Sequence, residues 1–534
     1  MSQSISKSEF IKPHFLPLGQ IVTYNAAQCP DNIAMTMDGQ TTSWTEFDLY
    51  TNQIANGLLK AGIEPADRVA YLGKTTDAAF QIMHGTAKVR GVFTPINWRL
   101  APPEIAYILK DARAKVLFVS EDSLPLINDI VGQSGFPEKM IIVQASACHD
   151  ENGFQSWRER HSSDPTDCVL LTSDVVLQLY TSGTTGRPKG ALITQEYVIN
   201  AGRMYNELDE DIYDMRPGEE FLNYFPIFHT SGSISSQYAP FSRGCGIIIF
   251  PEFDPQKIFE CIDQRSIPLI GAVPTMLQAF LSDPTFVKTD FGDVRYIMYG
   301  AAPMPIPLRD KLTNLVGCRF AQGYGATESL SISLLSPADH ETDSERLKSV
   351  GRAMPGVEIK IVDPNGAELP VGEIGEIAVR SPIMAQGYWQ LPDATAAAFK
   401  DGWYLTGDGG RLDEGGYLFL KERIKDLIIS GGENIYPGEV ENVLYAHPSI
   451  NSAAVVAVAD KKWGEVPFAF IIIKDGAQFD RDSLQTFVDE RLARYKQPKY
   501  YECIDALPLN AAGKILKKDL REMAKSLLAD RQAK

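Results

Sequence analysis

The stretch Tyr180-Thr181-Ser182-Gly183-Thr184-Thr185-Gly186-Arg187-Pro188-Lys189-Gly190 decides how the rest of the chain is read. It follows an apolar run, Val175-Val176-Leu177-Gln178-Leu179, bounded like a buried strand. The glycines let backbone N–H groups close around an anion without interference from a Cβ. The hydroxyls of Thr181, Ser182, Thr184 and Thr185 can donate to phosphate oxygens, and Arg187 and Lys189 add positive charge. A plain polar surface loop also uses Gly, Ser and Thr. It does not require so many donors, two cations and a flanking strand together, so anion binding is the better reading. The spacing G-x-x-x-x-G-K-[ST] is absent, which disfavours an ordinary P-loop kinase or GTPase.

The chain around this loop has 534 residues, too many for one core, and implies two to four domains or subdomains. Its hydrophobic (44%) and charged (22%) fractions are those of a soluble globular protein. A net charge of −17 argues against non-specific binding to nucleic acid or anionic membranes. Almost all of that charge lies in residues 1–425, with 36 Lys+Arg against 52 Asp+Glu. No secretory signal is visible, and the apolar runs are too short to span a bilayer. Seven scattered cysteines without a C-x-x-C pair fit a reducing cytoplasm, and most are expected to be small buried hydrophobes.

Working outward, helix-like and strand-like segments alternate from residue 10 to 120. The pattern predicts a helix from Trp44 ending at Gly62, a strand over Arg68–Leu72, a helix over Phe80–Gly91 and a strand over Val116–Val119. Such alternation implies βαβ units in a mostly parallel sheet. After the loop, Gly190 to Ala201 should give a strand and a helix. The stretch Phe225-Pro226-Ile227-Phe228-His229-Thr230-Ser231-Gly232 ends an apolar run in one imidazole and a small-residue turn. His229 there reads equally as a hydrogen-bonded core residue or, placed after a strand and before a helix start, as a group at the ligand edge of an open sheet. Strand-then-turn patterns recur at Ile267–Pro274 and at Val294–Tyr299, the latter running into Gly300-Ala301-Ala302, small enough for a flat ring to approach the backbone.

Next, Gln322-Gly323-Tyr324-Gly325-Ala326-Thr327-Glu328-Ser329 gathers an aromatic, two glycines, a hydroxyl and a carboxylate. A lone loop Glu is usually solvated, but beside polyphosphate it could hold Mg²⁺. From Val350 the texture becomes antiparallel β, with a turn at Asp363-Pro364-Asn365-Gly366. Trp403-Tyr404-Leu405-Thr406-Gly407-Asp408 is expected to deliver a carboxylate at a loop, able to accept from a ribose diol. The charged run Lys421–Asp426 reads as a solvated turn or an interdomain linker. Beyond it an α+β pattern begins: strands Ala454–Ala459, Phe468–Ile473 and Tyr501–Ile504, a helix Ser483–Ala493, and a loop carrying Gly513-Lys514 before a basic final helix.

Together, T-S-G-T-T-G-R-P-K-G, Y-G-A-T-E, Y-L-T-G-D, E-R-I-K-D-L-I-I-S-G-G-E-N-I-Y-P and the late G-K resemble the adenylate-forming superfamily of acyl-CoA synthetases, adenylation domains and firefly-type luciferases, over nearly the whole chain. I-S-G-G-E-N-I-Y-P-G-E-V-E is most similar to fatty-acyl and aryl CoA ligases. The resemblance implies an α/β fold: a large domain over 1–424 of layered α/β subdomains with a small β-barrel-like unit (about 350–424), a hinge at Lys425, and a small mobile α+β domain over 426–534. It implies that a carboxylic acid, ATP and Mg²⁺ give acyl-AMP and pyrophosphate, after which the small domain rotates and coenzyme A takes the acyl group. A homodimer fits the same resemblance.

Carried over residue by residue, the resemblance assigns the β- and γ-phosphates to Thr181, Ser182, Gly183, Thr184, Thr185, Gly186 and Lys189. Glu328 would hold Mg²⁺ and Thr327 would meet the α-phosphate. Gly300, Ala301, Ala302 and Tyr324 would enclose adenine, and Asp408 and Arg423 the ribose. Lys514 would bridge carboxylate and α-phosphate in the first step only. Ser430, Gly431 and Gly432 would line the pantetheine tunnel, and His229 the acyl pocket. Glu422, Leu405, Leu509 and Ala512 depart from the commonest family residues without removing a catalytic group. Phe228, His229, Val273, Met298, Gly323 and Ser329, as candidate pocket liners, offer no obvious cation and suggest a medium- or long-chain fatty or aryl acid. Two rival readings are transfer to a carrier-protein thiol and a luciferase-like oxygenase; an inactive scaffold would need loss of Lys514, Glu328 or Asp408, and all are present.

Overall fold

A computed structural model describes residues 14–532, apart from 129, 134, 138, 144–152, 182–187, 209–211, 213, 214, 217, 303, 342–344, 424, 425, 427, 431, 432 and 511–513. The helix Trp44–Lys60 opens with a reciprocal cap: Ser43 Oγ accepts from the Glu46 N–H while the Glu46 carboxylate accepts from the Ser43 N–H. It leaves through Gly62 at φ +81°, a left-handed turn that favours glycine. The helix expected over 80–91 runs instead over Asp77–Lys88. Thr76, whose hydroxyl accepts from the Ala79 N–H, starts it earlier, and Gly91 falls in the turn to the next strand.

These elements surround a six-stranded sheet in the order Lys139–Val143, Val116–Ser120, Arg68–Leu72, Val92–Ile96, Val175–Thr181, Lys189–Thr194. The first five strands are parallel and the last is antiparallel. Arg68–Leu72 and Val92–Ile96 are buried along their whole length, as strands of a parallel sheet covered on both faces must be. A second sheet joins Gln40–Ser43, Ile33–Met37, Gly246–Ile249 and Glu220–Asn223, and a third joins Leu269–Ala272, Tyr296–Gly300, Arg319–Tyr324, Ser333–Leu335 and Arg352–Ala353.

A fourth, antiparallel sheet carries Glu358–Val362, Gly375–Arg380, Phe399–Lys400, Trp403–Leu412 and Leu418–Arg423. Asp408 does not sit in a loop, as the sequence suggested. It lies inside the ten-residue strand Trp403–Leu412, where the register shifts between Asp408 and Gly409 opposite the next strand. A bulge of this kind re-aims a side chain without ending the strand.

The small domain has its own sheet of Glu433–Ile435, Ile428–Ser430, Gly464–Ile473, Ile450–Asp460 and Tyr500–Cys503. Its long pair is an antiparallel hairpin, and the helix Arg481–Asp489 then crosses over to the parallel strand Tyr500–Cys503. Alternation along the hairpin fills both faces. Val455, Ala469 and Ile471 pack with Val440 and Leu484, while Val456, Phe468 and Phe470 pack with Leu520 of the last helix, Lys517–Gln532. Of the six cysteines described, Cys245 is fully buried, four are half-buried and Cys503 is exposed, so the expectation of mostly buried thiols overstated their burial. Among the described residues no helix is long and apolar enough to cross a membrane.

Candidate active site

The anion loop joins two strands paired antiparallel: Thr181 pairs with Lys189, and Tyr180 with Gly190. Ser182, Gly183, Thr184, Thr185 and Gly186 lie outside the described residues; their anchors do not. Tyr180 OH donates to Asp111 Oδ2 at 2.6 Å and accepts from Gln178 Nε2 at 2.9 Å. Lys189 places its ammonium 5.0 Å from the centre of the Tyr388 ring.

Glu328 stands on the turn after the strand Arg319–Tyr324. Gly325 makes that turn possible, because a Cβ there would fall 1.5 Å from Leu330 O. The Ile332 N–H closes it by donating to Tyr324 O at 2.8 Å, and Tyr197 OH fixes it from below by donating to Thr327 O at 2.8 Å. Glu328 is only 7% exposed, not solvated as a lone loop carboxylate would be. Its Oε1 accepts from Tyr388 OH at 2.8 Å. Tyr404 also reaches it, and burial together with the Glu328 charge pushes both phenols up.

The proposed nucleotide residues share one edge. Gly300 abuts the neighbouring strand so closely that a Cβ would meet Gly323 O at 2.3 Å. Ala301 follows at φ +64°, an uncommon left-handed position for a non-glycine residue, and is exposed, with Ala302 half-buried beside it. Tyr324 OH donates to Asp408 Oδ2 at 2.8 Å, tying the third sheet to the fourth at this edge. Asp408 pairs in register with Arg423; the Arg423 side chain lies outside the described atoms, as does Lys425.

The apolar stretch before His229 is not a strand. The strand ends at Asn223, and the chain then turns into a short π-helix, Ser231–Ser235, an element often found at functional sites. Thr75 clamps the turn: its hydroxyl donates to Phe225 O at 3.0 Å and accepts from the Ile227 N–H at 2.9 Å. Gly232 packs where a Cβ would lie 2.3 Å from Pro226 O. His229 is thereby held with its Nε2 buried and without a partner among the described residues.

Burial first, then the positive charges of Lys514 and Arg99, pull His229 down to about 4 from its ordinary 6.5. Lys514 belongs to the small domain, on a hairpin-like loop where Asn510 Oδ1 accepts from its N–H at 2.9 Å and its O accepts from the Asn510 N–H at 2.7 Å. A second link across the domains is Gln278 Nε2 donating to Asn451 Oδ1 at 3.4 Å.

The sign of the His229 shift gives a pH prediction. Between about 4 and 6.5 the unfolded chain binds a proton at His229 that the folded one does not. Its stabilising contribution is therefore complete above the ordinary value and is lost as pH falls toward the depressed one. By linkage the loss at pH 5 is on the order of 2 kcal/mol. Thermal unfolding at pH 7.5 and 5.0 should show a larger drop in Tm for the native chain than for His229→Gln; equal drops would remove His229 as a cause.

Ser430 pairs with Glu433 and with Gly464, so Gly431 and Gly432, outside the described residues, fall between paired strand ends. Four contributors were not singled out from the sequence. Tyr388 and Tyr404 hold Glu328, Tyr197 holds the Thr327 backbone, and Arg99 adds a cation beside His229 where none was expected. Asn97-Trp98-Arg99 at a strand end was the one available signal for Arg99; the tyrosines gave none, since strand and turn both use tyrosine.

The AMP-binding enzyme family profile matches residues 22–389, and that of the AMP-binding enzyme C-terminal domain matches 439–514. The chain is 35% identical to a fatty acid–[acyl-carrier-protein] ligase, ScoC, of Streptomyces coeruleorubidus over 96% of this chain and 97% of that one. It is also 35% identical to a feruloyl-CoA synthase of Amycolatopsis sp, over 94% and 98%. A solved Mycobacterium tuberculosis fatty acyl CoA synthetase superposes with a TM-score of 0.74 at 31% identity, over 96% of this chain and 99% of that one. The profiles and these relatives cover nearly the whole chain, and the chain belongs to the AMP-binding enzyme family, among its adenylate-forming acyl-CoA ligases.

Proposed function

We propose that the chain activates a medium- or long-chain fatty or aryl acid as its acyl-adenylate and then passes the acyl group to coenzyme A. The observation that carries this reading is Glu328, 7% exposed and held by the Tyr388 hydroxyl at 2.8 Å, on the turn that follows the strand carrying Tyr324 and its partner Asp408. The adenylation step also needs a cation between its reactants, since carboxylate and ATP are both anionic and must be brought together, and Lys514, whose charge acts on His229, is read as that cation.

In that step the loop from Thr181 to Lys189 receives the β- and γ-phosphates, Asp408 accepts from the ribose, and Tyr324 lies against adenine. Thr327 meets the α-phosphate and Lys514 spans it and the carboxylate. Mg²⁺ fits the residues present. Among the described residues no group of three or more His, Cys, Asp or Glu forms a cage, but Mg²⁺ beside phosphates is usually held by one or two carboxylates, and Glu328 is a buried, oriented one. When bound, the ion would neutralise phosphate charge.

The apolar reading of the acid rests on the floor of the third sheet. Gly271 pairs with Met298 and Gly300 with Gly323; a Cβ at Gly323 would meet Met298 Cε at 3.2 Å, and one at Gly271 would meet the Phe225 ring at 3.3 Å. Small residues beside Met298 and Phe225 suit a flat or apolar acid, and the relatives named for fatty acids and feruloyl-CoA point the same way. Pyrophosphate release across a panel of fatty, aryl and amino acids tests it; activity confined to amino acids would overturn it.

The acceptor is read as free coenzyme A, on the sequence Gly431-Gly432 between the paired Ser430 and Glu433, although one relative is named for a carrier protein. Gly431→Trp adds a large side chain where glycine has none. Thioester formation with coenzyme A should fall by on the order of 10²-fold, the effect of a misplaced reacting group, while pyrophosphate release with the acid alone persists. Parallel loss of both in a folded variant would contradict the assignment.

A further inference from the structure

A short segment outside every motif considered so far clips the anion loop to the Glu328 turn. Residues 385–389 run along the strand Lys189–Thr194: Leu192 N–H donates to Gly387 O at 2.9 Å, Gln386 N–H to Leu192 O at 2.9 Å, and Trp389 N–H to Gly190 O at 2.8 Å. At the other end Ala385 N–H donates to Glu328 O at 2.7 Å. Gly387 sits at φ +138°, with a Cβ position 2.6 Å from Thr395 Cγ2, so the segment follows this path only with glycine there. Tyr388 thereby lies between the two halves of the site. Its hydroxyl donates to Glu328 Oε1 and its ring lies beneath the Lys189 ammonium. Tyr404 approaches Glu328 from the neighbouring antiparallel sheet, and Phe399 packs between the two phenols, its ring centre 6.1 Å from Tyr388 and 5.1 Å from Tyr404.

We propose that Tyr388 and Tyr404 are positioning residues that fix the Glu328 carboxylate for a divalent cation, and that Tyr388 couples this carboxylate to Lys189 at the base of the anion loop. The proposal rests on the reading of Glu328 as the metal carboxylate. A free glutamate can turn either oxygen, or both, toward an ion. One whose Oε1 already accepts from a buried phenol, with a second phenol beside it, is held in one orientation and offers fewer lone pairs. Mg²⁺ demands near-octahedral geometry from few protein ligands, whereas Ca²⁺ takes six to eight oxygens and accepts two-oxygen carboxylates. The two phenols therefore favour Mg²⁺ over Ca²⁺, as partners behind a metal ligand commonly do by holding it still.

The test is direct binding of Mn²⁺, followed by its EPR signal, to the full chain with α,β-methylene-ATP, which keeps the phosphates but blocks adenylation. Native protein is compared with Tyr388→Phe, Tyr404→Phe, the double variant and Glu328→Gln, with Mg²⁺ and Ca²⁺ as competitors. The phenylalanines keep the rings, and circular dichroism checks the fold. The double variant should bind Mn²⁺ about 10-fold more weakly or worse, and Ca²⁺ should displace Mn²⁺ at a lower excess over Mg²⁺ than in the native chain. Metal-free binding of the nucleotide analogue should be unchanged in both phenylalanine variants, but weakened in Tyr388→Leu, which also removes the ring under Lys189. Unchanged Mn²⁺ affinity and Mg²⁺/Ca²⁺ preference in the double variant, with Glu328→Gln impaired, would overturn the proposal alone. Unchanged affinity in Glu328→Gln would overturn the metal reading beneath it.

Discussion

Lys514→Ala should slow pyrophosphate release by on the order of 10²–10³-fold, the usual cost of removing one electrostatic donor from a developing charge. Conversion of supplied acyl-AMP and coenzyme A to thioester should survive. The asymmetry follows from where Lys514 comes from. It is carried by a loop of the small domain, between Asn510 and the final helix Lys517–Gln532, while every other group assigned to the phosphates and the acid belongs to the large domain. Its positive charge is felt at His229. If the small domain turns between steps, that charge leaves the site with it, and the second step proceeds without it. Arg99, the other cation beside His229, is on the large domain and cannot leave in this way. Single-turnover assays of each half-reaction separate the steps. Equal loss in both would mean that Lys514 holds the fold or the pocket rather than the adenylation transition state.

Glu328→Gln should impair the same half-reaction by a different route. The substitution keeps size and hydrogen-bonding reach but removes the negative charge. It also presents an amide that can donate, where Tyr388 now donates to a carboxylate. Acyl-AMP formation should fall by on the order of 10²-fold, consistent with several kcal/mol supplied by a metal-bound phosphate. Raising Mg²⁺ should recover part of the loss, which it should not do for Lys514→Ala. A Glu328→Gln loss insensitive to Mg²⁺, or one shared fully with thioester formation from supplied acyl-AMP, would contradict the metal role.

The parts of this site legible in the sequence are those whose chemistry forces composition. A backbone cradle for anions needs glycine and hydroxyls, which is why Thr181–Gly190 is read as one; a turn as tight as that at Gly325 admits little but glycine. The alternation of strand-like and helix-like segments likewise places the strand Arg68–Leu72 and the helix Trp44–Lys60 close to their observed ends. What was not legible depends on distance along the chain. Tyr388 meets Glu328 sixty residues away, and the charge of Lys514 acts on His229 from another domain. No local pattern marks either. Asp408 was misplaced in a loop for a related reason: Thr406-Gly407 reads as a turn, and Gly407 is indeed at φ +74°, but the partner strand continues past it and turns the break into a bulge. The helix start expected after His229 is found as a short π-helix, a form not read from the sequence because Pro226, Gly232 and three serines between 231 and 235 carry no helical periodicity.

The central claim is that the acid's carboxylate attacks the α-phosphate of ATP at the site bounded by Glu328, Lys514 and His229. It is tested most directly with an accepted acid labelled with ¹⁸O in its carboxylate, turned over with ATP and coenzyme A, and with products read by mass spectrometry. The account predicts one ¹⁸O in AMP, none in pyrophosphate, and an unlabelled phosphate balance. Label appearing in inorganic phosphate, with ADP as the nucleotide product, would mean attack at the γ-phosphate and would contradict it.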